Sequence, residues 1–304
     1  MKLIARIYNV YTVVIGMTSY IFIRGKFRQT RLTHVYTFIV NAFTLTLLPV
    51  AYWEMAQIMT MVKWLPPFMW IAPYLLYSIN YVVIAYTLIS RCYRDAILVD
   101  LQLVIVQVDV EMLRTGRRIS SMLQRLLLLK TCTLMYLFVA FFLSLVMYQW
   151  GMPWLTVLKG LLATISFTIL VSTTFLHFLS FWQILRGFDF VNQQLEEITR
   201  IGSKAQAKEL VSLWALHATL SRTARRINGY YGPQMLACRF DYFMFTIING
   251  YFGTVYASYE HKLTIDKLLG VCIYWVRSLD FFLNDYICDL VTEYISEQGE
   301  VYGV

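Results

Sequence analysis

Charged side chains inside long apolar stretches are the residues of this chain best placed to do chemistry. Arg277 and Asp280 stand three positions apart, and Asp285 and Asp289 stand four apart. Such spacings put both members on one helix face. Burying charges without partners is costly, so these residues either line a polar cavity or ion path, or form internal ion pairs. For Asp285 and Asp289 we favour a helix end that emerges into the cytoplasm, whereas for Arg277 and Asp280 both interpretations stay open.

A histidine is the other intramembrane polar candidate. His177 follows Thr173-Thr174-Phe175-Leu176, and a lone histidine in a helix is more often hydrogen-bonded structure than a ligand contact. The four histidines lie in four separate elements, and no hydrolase, phosphate-loop or dinucleotide-binding motif is present. No two of the five cysteines have metal-ligand spacing. We therefore expect no enzyme, no metal and no cofactor.

Tyrosines recur on one apolar stretch at spacings of three to five residues, at Tyr74, Tyr77, Tyr81 and Tyr86. Ring faces and hydroxyls on one helix can recognise an amphipathic small molecule, although an aromatic packing seam has the same spacing. Position alone adds aromatic residues of other stretches to the candidate pocket. The ligand-binding candidates are Tyr74, Tyr77, Tyr81, Phe141, Tyr148, Phe167 and Tyr251.

Membrane-spanning helices must position these residues. The chain is 59% hydrophobic and 14% charged, against about 25% charged residues in soluble domains. A spanning helix needs about 20 mostly apolar residues. Continuous runs of this kind predict an all-α, multipass transmembrane bundle. The predicted spans are 35–53, 68–90, 127–149, 156–182, 240–258 and 268–291, with a weaker candidate at 7–23.

Basic residues are distributed unevenly between the segments that join these spans. Twenty of the 26 Lys and Arg residues lie in segments 1–34, 91–126 and 186–239, whereas the alternate loops hold three. Cytoplasmic loops of membrane proteins carry the excess of positive charge. The three basic segments are therefore predicted to be cytoplasmic. The net charge of +8 is then a topology signal, and the expected partner is the lipid bilayer, not nucleic acid.

The weak run 7–23 decides between two receptor topologies. A seventh span there would place the N-terminus outside, as in a G-protein-coupled receptor. A helix lying in the inner interface would leave six spans and both ends in the cytoplasm. Lys2 and Arg6 oppose translocation of the N-terminus, so we predict the interfacial helix. A cleaved signal peptide is disfavoured because no small-x-small cleavage site follows.

Helical patterns extend the spans into the cytoplasm. Apolar residues recur at helical spacing from Ile97 to Met112, and the fourth span is predicted to continue to Gly202. Another helical stripe runs from Leu210 to Leu220 and is predicted to end near Asn228-Gly229. Such cytoplasmic helical extensions are a natural site for subunit contact. The predicted organisation is an N-terminal segment, five spans with their extensions, and a last span with a tail: 1–30, 31–258 and 259–304.

Two short segments resemble insect gustatory receptors. Tyr230-Tyr231-Gly232-Pro233-Gln234-Met235-Leu236 is similar to the Phe-Gly-x-Gln-Leu-type entry of their fifth span. The stretch from Ser278 to Asn284, with Cys288-Asp289-Leu290, resembles a penultimate-segment pattern of fly gustatory receptors. The order of spans and cytoplasmic helices is similar as well.

This resemblance implies a taste receptor of the plasma membrane with a cytoplasmic N-terminus. It implies a ligand-gated cation channel, assembled as a tetramer, that binds small-molecule tastants in the outer half of each subunit. The family ends with a seventh, pore-lining span that carries a Thr-Tyr…Gln-Phe signature. Nothing after Leu290 is apolar enough to cross a bilayer, so we expect that helix to be missing, as in a truncated receptor.

Two other functions compete with the channel. A G-protein-coupled receptor would need residues 1–6 outside, and the usual Asp-Arg-Tyr and Asn-Pro-x-x-Tyr sequences are absent. A small-solute transporter would favour internal repeats, and none is visible.

Overall fold

The computed structural model describes residues 2–23, 26–60, 67–117, 119–149, 151–201, 207–259 and 265–301. Within these ranges the chain forms eight α-helices and one two-stranded antiparallel sheet. The helices are α1 (Lys2–Val14), α2 (Arg31–Thr60), α3 (Pro67–Ile89), α4 (Arg91–Thr115), α5 (Ser121–Gln149), α6 (Trp154–Ile201), α7 (Ala207–Tyr259) and α8 (Ile265–Val301). The strands are β1 (Tyr20–Ile23) and β2 (Lys26–Gln29).

Four helices are long and apolar enough to cross a membrane. They contain the candidate spans Arg31–Gln57, Trp70–Ile89, Ser121–Met147 and Trp154–Ile198. These stretches overlap the first four predicted spans. In the apolar part of a bilayer, a single continuous run can satisfy the hydrogen bonds of its backbone only by forming a helix. The prediction of an all-α multipass membrane protein is confirmed.

The fifth and sixth predicted spans lie in α7 and α8. Within the described residues, neither helix contains a stretch as long and as apolar as the four candidate spans. In α8 the reason is that four charged residues interrupt 268–291. In α7 the side chains of 252–259 lie outside the described part of the chain. The crossing of the membrane by these two helices stays a prediction.

The prediction of one helix over 7–23 is wrong. Helix α1 ends at Val14, and Tyr20–Ile23 forms the first strand of a hairpin in which Tyr20 is opposite Gln29. The helix is closed by Gly16, which has a φ of 78°. Its amide donates to the Val13 carbonyl at 3.0 Å, and the Met17 amide donates to Thr12 at 2.9 Å. These two bonds are the Schellman arrangement that ends a helix.

A helix of 13 residues is too short to serve as a seventh span. At 1.5 Å per residue it covers about 20 Å, against about 30 Å of hydrocarbon. Instead α1 packs against α6: the Tyr8 hydroxyl donates to the Ser172 carbonyl at 2.9 Å, and Tyr11 hydrogen-bonds Thr168. Burial raises the pKa of Tyr11 above its ordinary value. The side chains of Lys2 and Arg6 lie outside those that the structure describes.

Helix α7 is one continuous helix, whereas the sequence predicts a break near Asn228-Gly229. It passes through Gly229 and Pro233 and is 53 residues long. In a helix interior, glycine is less favourable than alanine by about 1 kcal/mol and proline by about 3 kcal/mol. A buried stripe at helical spacing offsets this local preference. The stripe consists of Ile227, Tyr231, Met235 and Cys238.

The predicted extensions of the second and fourth spans are helical. Helix α6 continues for 48 residues to Ile201, and Gly202, its predicted end, lies outside the described residues. On α4 the predicted apolar stripe is buried at Leu101, Val104, Val108 and Met112, while the side chain of Ile97 is not described. The opposite face of α4 is also apolar and exposed, which the stripe alone did not predict. That face carries Leu103, Val106, Val110 and Leu113.

The chain forms two compact units, each assembled from three separate stretches. The first unit comprises Met1–Cys92, Thr133–Thr174 and Pro233–Leu279. The second unit comprises Tyr93–Cys132, Phe175–Gly232 and Asp280–Val304. Each has its own buried core, with Leu48 and Ile169 in the first and Phe178 and Phe188 in the second. The predicted division at residues 30 and 258 concerns sidedness and stays a prediction.

Replacement of Gly16 by alanine is expected to destabilise the chain more than the same change at Gly116. Both glycines have positive φ, so both variants carry left-handed strain of roughly 1 kcal/mol. Only at Gly16 would the new Cβ overlap a neighbour, at 2.1 Å from Asn41 Oδ1, whereas Gly116 faces open space. The measurement is the thermal midpoint in detergent, read from the reaction of a dye with the buried Cys238 thiol. Equal midpoints for the two variants would refute the tight contact.

Candidate functional site

Four aromatic rings from four helices meet inside the first unit. Tyr52 of α2 and Tyr77 of α3 are stacked, with ring centroids 4.7 Å apart and an interplanar angle of 24°. The Phe167 ring of α6 lies 6.2 Å from Tyr52 and 6.4 Å from Tyr77. The Phe141 ring of α5 lies 5.7 Å from Phe167. We call these four residues the aromatic cluster, and its ring distances are those of favourable aromatic pairs.

Tyr52 is the member of the aromatic cluster that the sequence did not identify. Its hydroxyl lies 2.5 Å from Ser166 Oγ, in the interior. The Ser166 hydroxyl donates to the Ala163 carbonyl at 2.6 Å, so the Tyr52 hydroxyl is the donor to Ser166. The available sequence signal was the run of hydroxyl residues on α6 at Thr164, Ser166 and Thr168. Such residues are commonly satisfied by their own helix, which is why the run did not stand out.

The structure brings together three of the seven predicted ligand residues, Tyr77, Phe141 and Phe167. Tyr74 packs instead against Trp53, with centroids 5.1 Å apart. The Tyr81 hydroxyl donates to the Leu45 carbonyl at 3.2 Å. Tyr251 is 40% exposed. The side chain of Tyr148 lies outside those that the structure describes.

A buried ion pair lies in the same unit as the aromatic cluster. Arg277 of α8 donates to Asp241 of α7 at 2.8 Å, and its guanidinium lies 3.9 Å from the centre of the Phe245 ring. Asp241 is only 2% exposed. Both charged groups are therefore taken up by one contact between α7 and α8.

Two buried amides add polar groups to the interior of the first unit. Gln234 of α7 donates to Thr87 of α3 at 2.7 Å. Asn80, one helical turn after Tyr77 on α3, is fully buried and donates to the Leu76 carbonyl at 2.9 Å. Asn80 Oδ1 has no hydrogen-bond partner among the described residues. A buried acceptor without a partner is unusual in a folded protein and is available to a donor from outside the chain.

The second unit contains another buried ion pair, between α5 and α8. Lys130 is fully buried, and its ammonium lies 2.6 Å from Asp280 Oδ1. It also donates to the Asp280 carbonyl at 2.9 Å and lies 5.5 Å from the centre of the Phe178 ring. The spacing of three would have allowed Arg277 and Asp280 to pair with each other. Instead, each of them pairs with a residue of another helix. The reason is that facing helices offer each of them a closer opposite charge.

His177 is a buried ring in an aromatic environment. Its ring lies 4.8 Å from Phe181 and 5.5 Å from Tyr231, all within the second unit. Tyr231 is 1% exposed and belongs to the segment that resembles the receptor motif. The structural interpretation of His177 stays a prediction.

Comparison with known proteins assigns nearly the whole chain to one protein family. The family model described as 7tm Chemosensory receptor matches residues 5–299. The chain is 53% identical over 237 residues to a protein of Drosophila erecta named "Putative gustatory receptor 59b". That match covers 77% of this chain and 40% of the relative. The chain thus spans less than half the length of the curated relative that it matches.

Replacement of Lys130 by methionine is expected to destabilise the chain by about 3–5 kcal/mol, because Asp280 would remain buried and charged without a partner. The matched control is Lys159→Met, which removes the partner of Glu54 in a pair whose side chains are 27% and 28% exposed. Partly exposed pairs contribute about 0–1 kcal/mol. Denaturation of both variants in mixed micelles gives the comparison. A loss at Lys130 no larger than at Lys159 would contradict the importance of the buried pair.

Proposed function

Because the chain belongs to the 7tm chemosensory receptor family, we propose that it is a gustatory receptor subunit that detects small-molecule tastants and forms part of a ligand-gated cation channel. The family match and the name of the relative support the receptor class. The channel type follows from the resemblance of the sequence to insect gustatory receptors. The observation that carries the ligand proposal is the aromatic cluster, together with the unpartnered acceptor of Asn80 three positions after Tyr77 on α3.

The aromatic cluster and Asn80 have the chemistry of a site for an amphipathic tastant. Ligand sites combine apolar and aromatic walls with a few polar groups that fix orientation. Here the walls are the rings of Tyr52, Tyr77 and Phe167, and the polar groups are Asn80 Oδ1 and the Tyr52–Ser166 hydroxyl pair. The preferred ligand is therefore flat and largely apolar, with at least one hydrogen-bond donor.

Ligand entry offers a route to a change of state. A ring inserted beside Tyr77 replaces part of the Tyr52–Tyr77 stack and alters the packing of α2 on α3. A ligand shifts a conformational equilibrium only through its different affinity for the two states. The stacked arrangement serves as the resting state in this proposal.

The assembly is proposed to be a tetramer in the plasma membrane. The exposed face of α4 supports self-association, because its four apolar residues stand at alternating spacings of three and four, as in helix pairing. Helix α4 lies in segment 91–126, whose excess of positive charge predicts that it is cytoplasmic.

Ligand binding can be separated from stability at Asn80. Quinine and denatonium, aromatic compounds that each carry a hydrogen-bond donor, are screened by thermal shift of the purified chain. Caffeine, which has no donor, and sucrose, which is not apolar, are the comparison compounds. Quinine or denatonium is expected to stabilise the chain, and the comparison compounds are not. Asn80→Leu is expected to weaken that compound by about fivefold to tenfold, since one buried hydrogen bond is lost. The same variant is expected to keep or raise the thermal midpoint, because it removes an unsatisfied buried oxygen.

The matched control for ligand binding is Tyr74→Leu. Tyr74 packs on Trp53 and not in the aromatic cluster, so its replacement is expected to change the dissociation constant by less than about twofold. Tyr77→Leu, by contrast, is expected to weaken binding at least as much as Asn80→Leu. If no compound stabilises the chain, or if all three variants bind alike, the ligand proposal fails.

The proposed topology places Met1 in the cytoplasm. A tag at Met1 is expected to be labelled only after cells are permeabilised, because α1 is too short to cross the membrane. A tag inserted after Lys63, in the loop between the first two predicted spans, is the positive control for surface labelling. Labelling of the Met1 tag on intact cells would overturn the topology.

A further inference from the structure

The second unit has an amphipathic surface cavity between α5 and α8. The cavity has a volume of about 320 Å³. Its polar lining residues are Arg125 and Ser121, and its apolar lining residues come from α5 as well. A tyrosine of α8 closes one side. The lining residues are Ser121, Met122, Arg125, Leu126, Leu129 and Tyr286.

Arg125 has a cationic group without an acidic partner. Two other arginines of the same unit have acidic partners: Arg117 pairs with Glu197, and Arg186 pairs with Asp109. Arg125 is exposed and forms no ion pair or hydrogen bond with any residue that the structure describes. A planar guanidinium of this kind binds phosphate oxygens in a bidentate manner.

The position of the cavity along α5 matches the level of lipid headgroups. Ser121 and Arg125 lie in the first turns of the candidate span Ser121–Met147. Leu129 follows Arg125 by four residues, which is about 6 Å further along the helix toward the apolar part of the span. Polar groups thus stand at the end of the span, and apolar groups stand on its inner side.

The α8 wall of the cavity is aromatic. The Tyr286 ring is stacked on Phe282, with centroids 6.2 Å apart and an interplanar angle of 11°. Phe282 is one of the exposed apolar residues of the unit. Amphipathic aromatic rings such as tyrosine are enriched at the membrane interface. A tyrosine in this wall has the chemistry to contact both an acyl chain, through its ring, and a headgroup, through its hydroxyl.

We propose that this cavity binds an anionic phospholipid, with the headgroup phosphate on Arg125 and Ser121 and the upper acyl chain against Met122, Leu126 and Leu129. Basic pockets between spanning helices are suited to acidic headgroups. The proposed topology of the receptor places this end of α5, and with it the bound lipid, in the cytoplasmic leaflet. The binding itself does not depend on that topology or on a tastant.

The test is a titration of the purified full chain, in an uncharged detergent, with palmitoyl-oleoyl phosphatidylglycerol, with bound lipid counted by native mass spectrometry. Arg125→Gln is expected to weaken binding about tenfold, as for loss of a charge-assisted hydrogen-bond pair. Arg222→Gln is the matched control: Arg222 is an exposed arginine of α7 outside the cavity, and the same charge is removed. Its effect is expected to stay within about twofold.

Leu129→Trp separates the cavity from the net charge. Leu129 is partly exposed, so a larger side chain can fill the cavity without disturbing the core. This variant is expected to weaken binding while its thermal midpoint stays unchanged. Phosphatidylcholine, which carries the same phosphate without net charge, is expected to bind more weakly than phosphatidylglycerol.

Three results would overturn the lipid proposal. Equal losses in Arg125→Gln and Arg222→Gln would indicate attraction by net charge alone. Full competition by millimolar inorganic phosphate would indicate a site for a soluble anion. Unchanged binding in Leu129→Trp would place the lipid elsewhere on the chain. None of these results depends on whether a tastant binds the aromatic cluster.

Discussion

The neutralisation of Lys130 by Asp280 is the interaction on which the second unit depends. Lys130 is fully buried in a helix otherwise apolar enough to span a membrane. An ammonium group there has lost its water and requires an opposite charge and further acceptors. Asp280 supplies both, through its carboxylate and its backbone carbonyl. The contact fixes the register of α8 against α5, because rotation of either helix by one residue would separate the charges.

The same constraint applies within the first unit, where Arg277 pairs with Asp241 beside the Phe245 ring. These charges make the interior of a membrane protein specific, since apolar faces alone permit many helix orientations. The proposed ligand site combines the ring faces of the aromatic cluster with the buried amide of Asn80. Such a site favours ligands that are apolar in bulk and polar at one point.

Much of the fold follows from periodicity and hydropathy. The first four spans, the long α6 and the buried stripe of α4 were predictable because each depends on a repeated local pattern. The hairpin after α1 was not, since its strands have four residues each and its start depends on the left-handed Gly16. The continuity of α7 was missed because local preferences at Gly229 and Pro233 are outweighed by tertiary packing.

Sequence spacing was a poor guide to side-chain partners. It placed Arg277 and Asp280 on one face but could not show that each pairs with another helix. Tyr77, Phe141 and Phe167 were identified from residue type and position, while Tyr52 and Ser166 depend on contacts more than 100 positions apart in the sequence. Lys130 and Asp280 carry opposite charges and lie in two different apolar stretches. Because intramembrane charges are rarely left alone, this could have indicated that the two residues pair.

The most direct measurement of the central claim is a double-mutant cycle between Lys130 and Asp280. The free energy of unfolding in mixed micelles is measured for the native chain, for Lys130→Met, for Asp280→Asn and for the double variant. If the buried pair stabilises the second unit, the coupling energy is at least about 2 kcal/mol, and the double variant is more stable than the two single losses predict by addition. Additive losses, with a coupling energy near zero, would contradict the account.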